Sequence, residues 1–135
     1  MKASSTIYEI GKRGERLAAR YLRRHGYRIL ARNLYFGKNE LDLVAQNKEY
    51  IIFVEVKTRS FLTREEAADS PPALAVNAGK RRRTVEAAKQ YLYEHPTKKT
   101  PRMDVIEVYL DRTARQKPFD IHHIAGAFDA HGRIL

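Results

Sequence analysis

The stretch ELDLVAQNKEYIIFVEVK, residues 40–57, decides the fold. Two strand-like runs, 40–46 and 50–58, flank the turn residues Gln46, Asn47, Lys48 and Glu49. A connection this short predicts an antiparallel hairpin. Side chains alternate along a strand, so Ile52, Val54 and Val56 form one apolar face, and Ile51, Phe53, Glu55 and Lys57 the other. With Asn47 and Lys48 as the two-residue loop, Asp42 faces Phe53 and Glu40 faces Glu55. Asp42, Glu55 and Lys57 then share a face, and Asp42 and Glu55 are diagonal neighbours with backbones about 7–8 Å apart. Leu41 and Leu43 are expected on the other side of their strand from Asp42.

A central strand should be apolar on both faces. Two acids and a lysine at its end need pairing or a metal. The hard, oxygen-only donor set favours magnesium or manganese over zinc. The expected ligands are Asp42, Glu55 and the backbone carbonyl of Val56. Lys57 is suited to hold or activate a water and to meet charge developing on a phosphate. Glu15, on the preceding helix, borders that helix's buried stripe and is the further acid that can join. The plainer alternatives are a structural ion pair at the sheet end and, for Glu15, a charge favoured by the helix dipole.

Outward from the hairpin, the remaining elements read clearly. Thr6 and Glu9 form a capping box, and Ile10, Leu17, Ala18, Tyr21 and Leu22 recur at helical spacing up to a stop at Gly26. Gly11 and Gly14 are expected to let this helix approach the sheet. A strand over 27–33 follows, with turn residues at Phe36-Gly37-Lys38-Asn39. Residues 60–75, with Pro71-Pro72, read as a polar and mobile connection. A second helix over 77–94 carries Val85, Ala88, Tyr91 and Leu92 on one stripe and is closed by Pro96. Strands are predicted over 103–110 and 119–124. The order α-β-β-β-α-β-β makes an α/β fold, a central mixed sheet flanked by helices, in a single domain over 1–135.

Charge narrows the function. The 135 residues hold 26 Lys and Arg against 16 Asp and Glu, a formal net charge of +10. The excess lies in two flanks, residues 2–32 and 80–102, while the balance reverses over 40–69. Basic flanks around an acidic centre fit a nucleic acid, probed through its phosphates. The expected contacts are Arg13, Arg59, Lys80, Arg81, Arg82 and Arg83. The absence of cysteine excludes a disulfide scaffold and a thiol nucleophile. The longest apolar run, 50–54, is far short of a membrane span of about 20 residues, and the first residues turn polar too soon for a secretory signal. A cytoplasmic protein with no membrane partner is expected. His122 and His123 cannot face one way on a strand, which disfavours a histidine metal pair. Asp104, on the face of Ile106 and Val108, is either a buried structural acid or a support for the site. Tyr21, Tyr27, Tyr91 and Tyr93 read as core rather than as platforms for stacking bases.

The blocks Gly11-x-x-Gly14-Glu15-x-x-Ala18-x-x-Tyr21-Leu22, Gly26-Tyr27-x-Ile29-Leu30-x-Arg32-Asn33, Glu40-Leu41-Asp42-Leu43-Val44-Ala45 and Phe53-Val54-Glu55-Val56-Lys57-x-Arg59 resemble the YraN family of bacterial proteins. Ala75-Val76 with Lys80 and Arg83, Ala88 with Tyr91-Leu92, and Arg102-Met103-Asp104-Val105-Ile106 extend the resemblance to nearly the whole chain. That family resembles the PD-(D/E)xK nucleases, with a restriction-endonuclease-like α-β-β-β-α-β core close to Holliday junction resolvases. The resemblance implies Glu15 as the helical acid, Asp42 and Glu55 as metal ligands and Lys57 as the catalytic lysine. Three departures stand out: Leu41, not Pro, precedes Asp42; Asn39 stands where the family usually has Gly; and the segment after Phe61 is longer and lacks the family's usual Gly.

The expectation is therefore an endonuclease-like protein, dependent on Mg2+ or Mn2+, acting on DNA phosphodiesters, with branched or junction DNA as candidate substrate. The alternative is a non-catalytic nucleic-acid-binding module of the same fold. Two-fold substrates would favour a homodimer.

Overall fold

A computed structural model describes residues 6–61, 65–66 and 78–135. Helix α1 (Ile7–Arg24) is followed by strands β1 (Arg28–Phe36), β2 (Asn39–Gln46) and β3 (Tyr50–Phe61). Helix α2 (Ala78–Glu94), β4 (Thr100–Asp111) and β5 (Lys117–Phe128) complete the chain. The five strands lie in the order β1-β2-β3-β4-β5. β3 and β4 are parallel, joined by the crossover that contains α2, and the other pairs are antiparallel. The sheet is mixed and the element order is the one expected.

Each helix covers one face. Ala18, Ala19 and Leu22 of α1 pack with Leu43, Ala45, Ile52, Val54, Ile106 and Val108. Val85, Ala88 and Tyr91 of α2 pack with Val44, Ile51, Phe53 and Val105. β3 is thus apolar on both sides, as a central strand must be. Fully buried side chains such as Phe53 and Ile52 each contribute about 1.5–3 kcal/mol over exposure.

Local chemistry sets the ends of α1. The Thr6 hydroxyl accepts from Glu9 N at 3.1 Å. At the other end Gly26 takes φ +87°, a left-handed conformation that glycine adopts freely, and Tyr27 N returns to Leu22 O at 3.0 Å. Gly14 is the point of closest approach to the sheet: a Cβ there would lie 1.8 Å from Thr58 Oγ1. A Cβ on Gly11 would meet nothing within 4 Å, so only Gly14 serves the approach expected of both.

The hairpin register differs from the expected one by two residues. The pairs are Gln46↔Ile51, Ala45↔Ile52, Val44↔Phe53 and Leu43↔Val54. The loop is Lys48-Glu49, not Asn47-Lys48. Asn47 is the first residue of the turn: its side chain accepts from Glu49 N and Tyr50 N at 2.9 and 2.7 Å, and its amide donates to Tyr50 O. Extended by one step, this register puts Asp42 level with Glu55 rather than with Phe53. The shift is even, so it leaves the face assignments of the paired residues 43–46 unchanged.

Strand lengths also differ. β1 continues past Asn33 to Phe36 because Asn33 (φ +50°) bends within the strand instead of ending it. β4 extends beyond 103–110 because Thr100, Pro101 and Arg102 pair with β3 and Asp111 pairs with Lys117, and β5 extends beyond 119–124 through its pairing with β4. Ser60 and Phe61 belong to β3, not to the connection expected from residue 60. Pro71-Pro72, the Ala75-Val76 block and residue 77, the expected start of the second helix, lie outside the described residues.

Candidate functional site

β2 leaves β3 after the pair Leu43↔Val54, while it stays paired with β1 as far as Asn39. Past this fork the alternation of β2 breaks. Leu43 joins the cluster on the α1 side, but Leu41 joins the one on the α2 side. The two leucines expected on one face therefore pack on different layers. Asp42, between them, turns its carboxylate across the gap. Val56 N donates to Asp42 Oδ2 at 2.8 Å, supplying a partner to an amide that the ladder no longer serves.

Two further acids converge there. Ligand oxygens of Glu15, Glu40 and Asp42 lie within 4.8 Å of one another. Glu15 comes from α1, one residue beyond the contact of Gly14 with Thr58, and it pairs with Lys12 at 3.3 Å. Glu40 comes from the β2 arm that follows β1. The cleft around them, about 450 Å³, is also lined by Val56, Thr58, Ser60, Lys80 and Arg112. Asp42 is only 8% exposed. Burial pushes its carboxyl up to about 6, helped by the charges of Glu40 and Glu15 and opposed by the Val56 hydrogen bond and Lys80.

Glu55 is 4% exposed, beside this group. Its Oε1 lies 3.3 Å from both Lys57 Nζ and Lys80 Nζ. Both distances are ion-pair distances, yet neither approach has hydrogen-bond alignment, so Oε1 is buried without a hydrogen bond. Burial lowers the affinity of Lys80 for its proton, but Asp42 and Glu55 outweigh it and hold the ammonium above its ordinary pKa. Parallel pairing sets Glu107 of β4, itself buried, level with Lys57, and Tyr109 Oη donates to Glu107 Oε2 at 2.5 Å.

Of the four residues expected at the centre, Glu15 and Asp42 share the carboxylate group, and Glu55 and Lys57 form the adjoining ion pair. Sequence reasoning missed Glu40 as a member, although its place two residues before Asp42 in one strand was the available signal. Lys80, expected to contact phosphate, lies 3.3 Å from Glu55 Oε1 and lines the cleft with the acids.

The other basic candidates are dispersed. Arg13 Nε donates to Gln116 O at 2.7 Å and is half-buried. Arg59 is half-buried on the strand after Lys57. Arg81 is buried and donates from Nε to Gly132 O at 2.9 Å. Arg82 and Arg83 are exposed. Asp104 is fully buried on the α1 face, where it takes a forked pair of bonds from Arg102 at 2.8 Å, one from Gly126 N at 3.0 Å and a contact with His123 at 2.7 Å. Those partners, led by Arg102, outweigh the effect of burial and keep its carboxyl below its ordinary range. Asp104 is thus a satisfied structural acid. His122 contacts Asp120 instead, on the opposite face of β5 from His123.

Fold and site together define an α/β protein with a mixed sheet and an acid-lined cleft at a forked hairpin. The family model described as Uncharacterised protein family UPF0102 matches residues 14–108, and the chain belongs to that family. A UPF0102 protein of Chlorobium phaeobacteroides is 39% identical over 131 residues, covering 94% of this chain and 98% of its own. One from Syntrophotalea carbinolica is 42% identical over 124 residues, covering 91% and 94%. One from Myxococcus xanthus is 38% identical over 123 residues, covering 90% of each chain. Among the described residues no helix is long and apolar enough to cross a membrane.

Proposed function

We propose that this protein is a metal-dependent nuclease acting on DNA phosphodiesters. The observation that carries the reading is the convergence of Glu15, Glu40 and Asp42 oxygens within 4.8 Å at an open cleft. Three carboxylates so close repel one another unless a cation neutralises them. Oxygen donors alone suit Mg2+ or Mn2+. The elevated carboxyl of Asp42 and the buried Glu55 oxygen without a hydrogen bond are both relieved by a cation, so the residues fit one. Asp42 with Glu15 and Glu40 would hold it, and Glu55 and the Val56 carbonyl stand within the same neighbourhood. A bound Mg2+ or Mn2+ supplies Lewis acidity toward a phosphate oxygen and lowers the pKa of water.

The chain's own groups account for the rest. Lys57 is a partly exposed ammonium anchored by Glu55, suited to orient an attacking water and offset charge building on the phosphate. Exposed Arg82 and Arg83, and the arginines along α1, offer phosphate contacts that carry no base readout. The resemblance to PD-(D/E)xK nucleases points the same way.

The test is a Mg2+- and Mn2+-dependent cleavage assay on duplex, flap and four-way-junction DNA, with wild type and Glu55→Ala purified side by side. Cleavage by wild type alone is expected. Equal cleavage by both overturns the assignment. DNA binding without cleavage by either makes the non-catalytic binding module the better reading.

A further inference from the structure

Glu55 has two ammonium neighbours. Lys57 Nζ and Lys80 Nζ both lie 3.3 Å from its Oε1, and one ammonium neutralises one carboxylate. Lys57 follows Glu55 on the same strand, whereas Lys80 comes from a different element and is shared with the other acids. It sits in the first turn of α2, lines the cleft with Glu15, Glu40 and Asp42, and its charge acts on Asp42 and Glu40 as well as on Glu55. Positive charge at a helix N-terminus is unfavourable in itself, so the acids are what hold Lys80 there.

The form of the contact matters. Oε1 of Glu55 is buried and receives no aligned hydrogen bond from either lysine. An ammonium held without an aligned hydrogen bond is readily exchanged for another cation, and the side chain of Lys80, 35% exposed, has a route to water. Its long flexible stem lets the head leave without moving the helix.

We propose that Lys80 is the counter-ion of the cation-free site, and that a divalent cation entering beside Asp42 and Glu55 displaces it. The inference rests on the metal-dependent reading above and adds a regulator to it. Lys80 sets how tightly the site binds metal, and it keeps the empty carboxylates from repelling one another. Released, its ammonium becomes free to meet a phosphate on the same side of the cleft.

The test is Mn2+ titration of the full chain, followed by the paramagnetic resonance signal of free Mn2+, for wild type, Lys80→Met, Lys80→Arg and Lys89→Met. Removing one unit charge from beside the site should tighten Mn2+ binding by about tenfold in Lys80→Met. Lys80→Arg, which keeps the charge, and Lys89→Met, on the exposed side of the same helix, should match wild type. In chelator, Lys80→Met should melt below wild type, and saturating Mn2+ should close the gap. Lys80→Gln carries the same expectations if Lys80→Met does not fold. Binding by Lys80→Met where wild type binds nothing would be the strongest support. Equal or weaker binding by Lys80→Met, with wild type binding Mn2+, overturns the inference and leaves the metal reading standing. Binding by neither overturns both.

Discussion

The backbone amide of Val56 donates to Asp42 Oδ2 at 2.8 Å, across the point where β2 parts from β3. This bond ties a carboxylate to the part of the β3 edge that β2 no longer pairs beyond Leu43 and Val54. It also explains why Asp42 can be buried at all: an ionised group needs partners there, and the amide and Lys80 supply them. They do not supply enough, since burial together with Glu40 and Glu15 still wins.

Asp42 should therefore cost stability at neutral pH in the absence of metal. Its carboxyl moves from the ordinary 3.8 to about 6 on folding. The folded-state value lies above the unfolded one, so the penalty is absent below about pH 4 and grows as pH rises through 6. A shift of about two units caps it at about 3 kcal/mol. In chelator, Asp42→Asn should be more stable than wild type at pH 8 by up to that amount, and equal to it near pH 4. Urea unfolding at the two pH values measures this. A difference that ignores pH would exclude the electrostatic account.

The two glycines of α1 should respond in opposite ways to alanine. At Gly14 the new Cβ would meet Thr58 Oγ1 at 1.8 Å and Thr58 Cβ at 2.7 Å. Overpacking of that kind costs about 1–3 kcal/mol, more than alanine's helix propensity returns. At Gly11, with open space, alanine should gain up to about 1 kcal/mol. Thermal melts of the two variants settle the sign. Because Glu15 adjoins Gly14, Gly14→Ala should also weaken Mn2+ binding, whereas Gly11→Ala should not.

The architecture was legible where patterns are local. The capping box at Thr6 and Glu9, the stop at Gly26 and the alternation 51–57 each depend on a few neighbouring residues. The hairpin register depends on which of four turn residues comes first, and an Asn side chain bonding forward to two amides decided that. Glu40 was missed although the expected register set it opposite Glu55, because the fork that brings it to Glu15 and Asp42 is reported by no periodicity. Arg81 looked like its neighbours in a run of four bases. Its burial and its tertiary contact with Gly132 O distinguish it.

That distinction is measurable. Arg81→Ala removes a buried donor and leaves the Gly132 carbonyl short of a partner, at a cost of about 1–3 kcal/mol. Arg82→Ala and Arg83→Ala should leave the melting temperature within a degree or two, since exposed substitutions usually cost under about 0.5 kcal/mol. If they contact phosphates, each should weaken duplex DNA binding regardless of sequence and flatten the slope of log affinity against log salt by about 0.9. Unchanged slopes would place the DNA on another surface.

Lys57 and Glu55 should separate chemistry from metal binding. Lys57 Nζ is 3.3 Å from Glu55 Oε1 and is positive, so it opposes a cation rather than ligating it. Lys57→Met should bind Mn2+ as well as wild type or better, yet cleave slower by about 10²–10⁴, the range of a lost proton-handling group. The fall should appear in kcat with little change in KM, because the loss is confined to the transition state. Glu55→Ala should lose cleavage and bind Mn2+ more weakly, while binding DNA as well as wild type or better, one negative charge having gone from the cleft. Single-turnover cleavage and Mn2+ titration, run on both variants, separate the roles. Loss of Mn2+ binding in Lys57→Met, or cleavage at the wild-type rate, would remove Lys57 from the chemistry and leave it the anchor of a buried carboxylate.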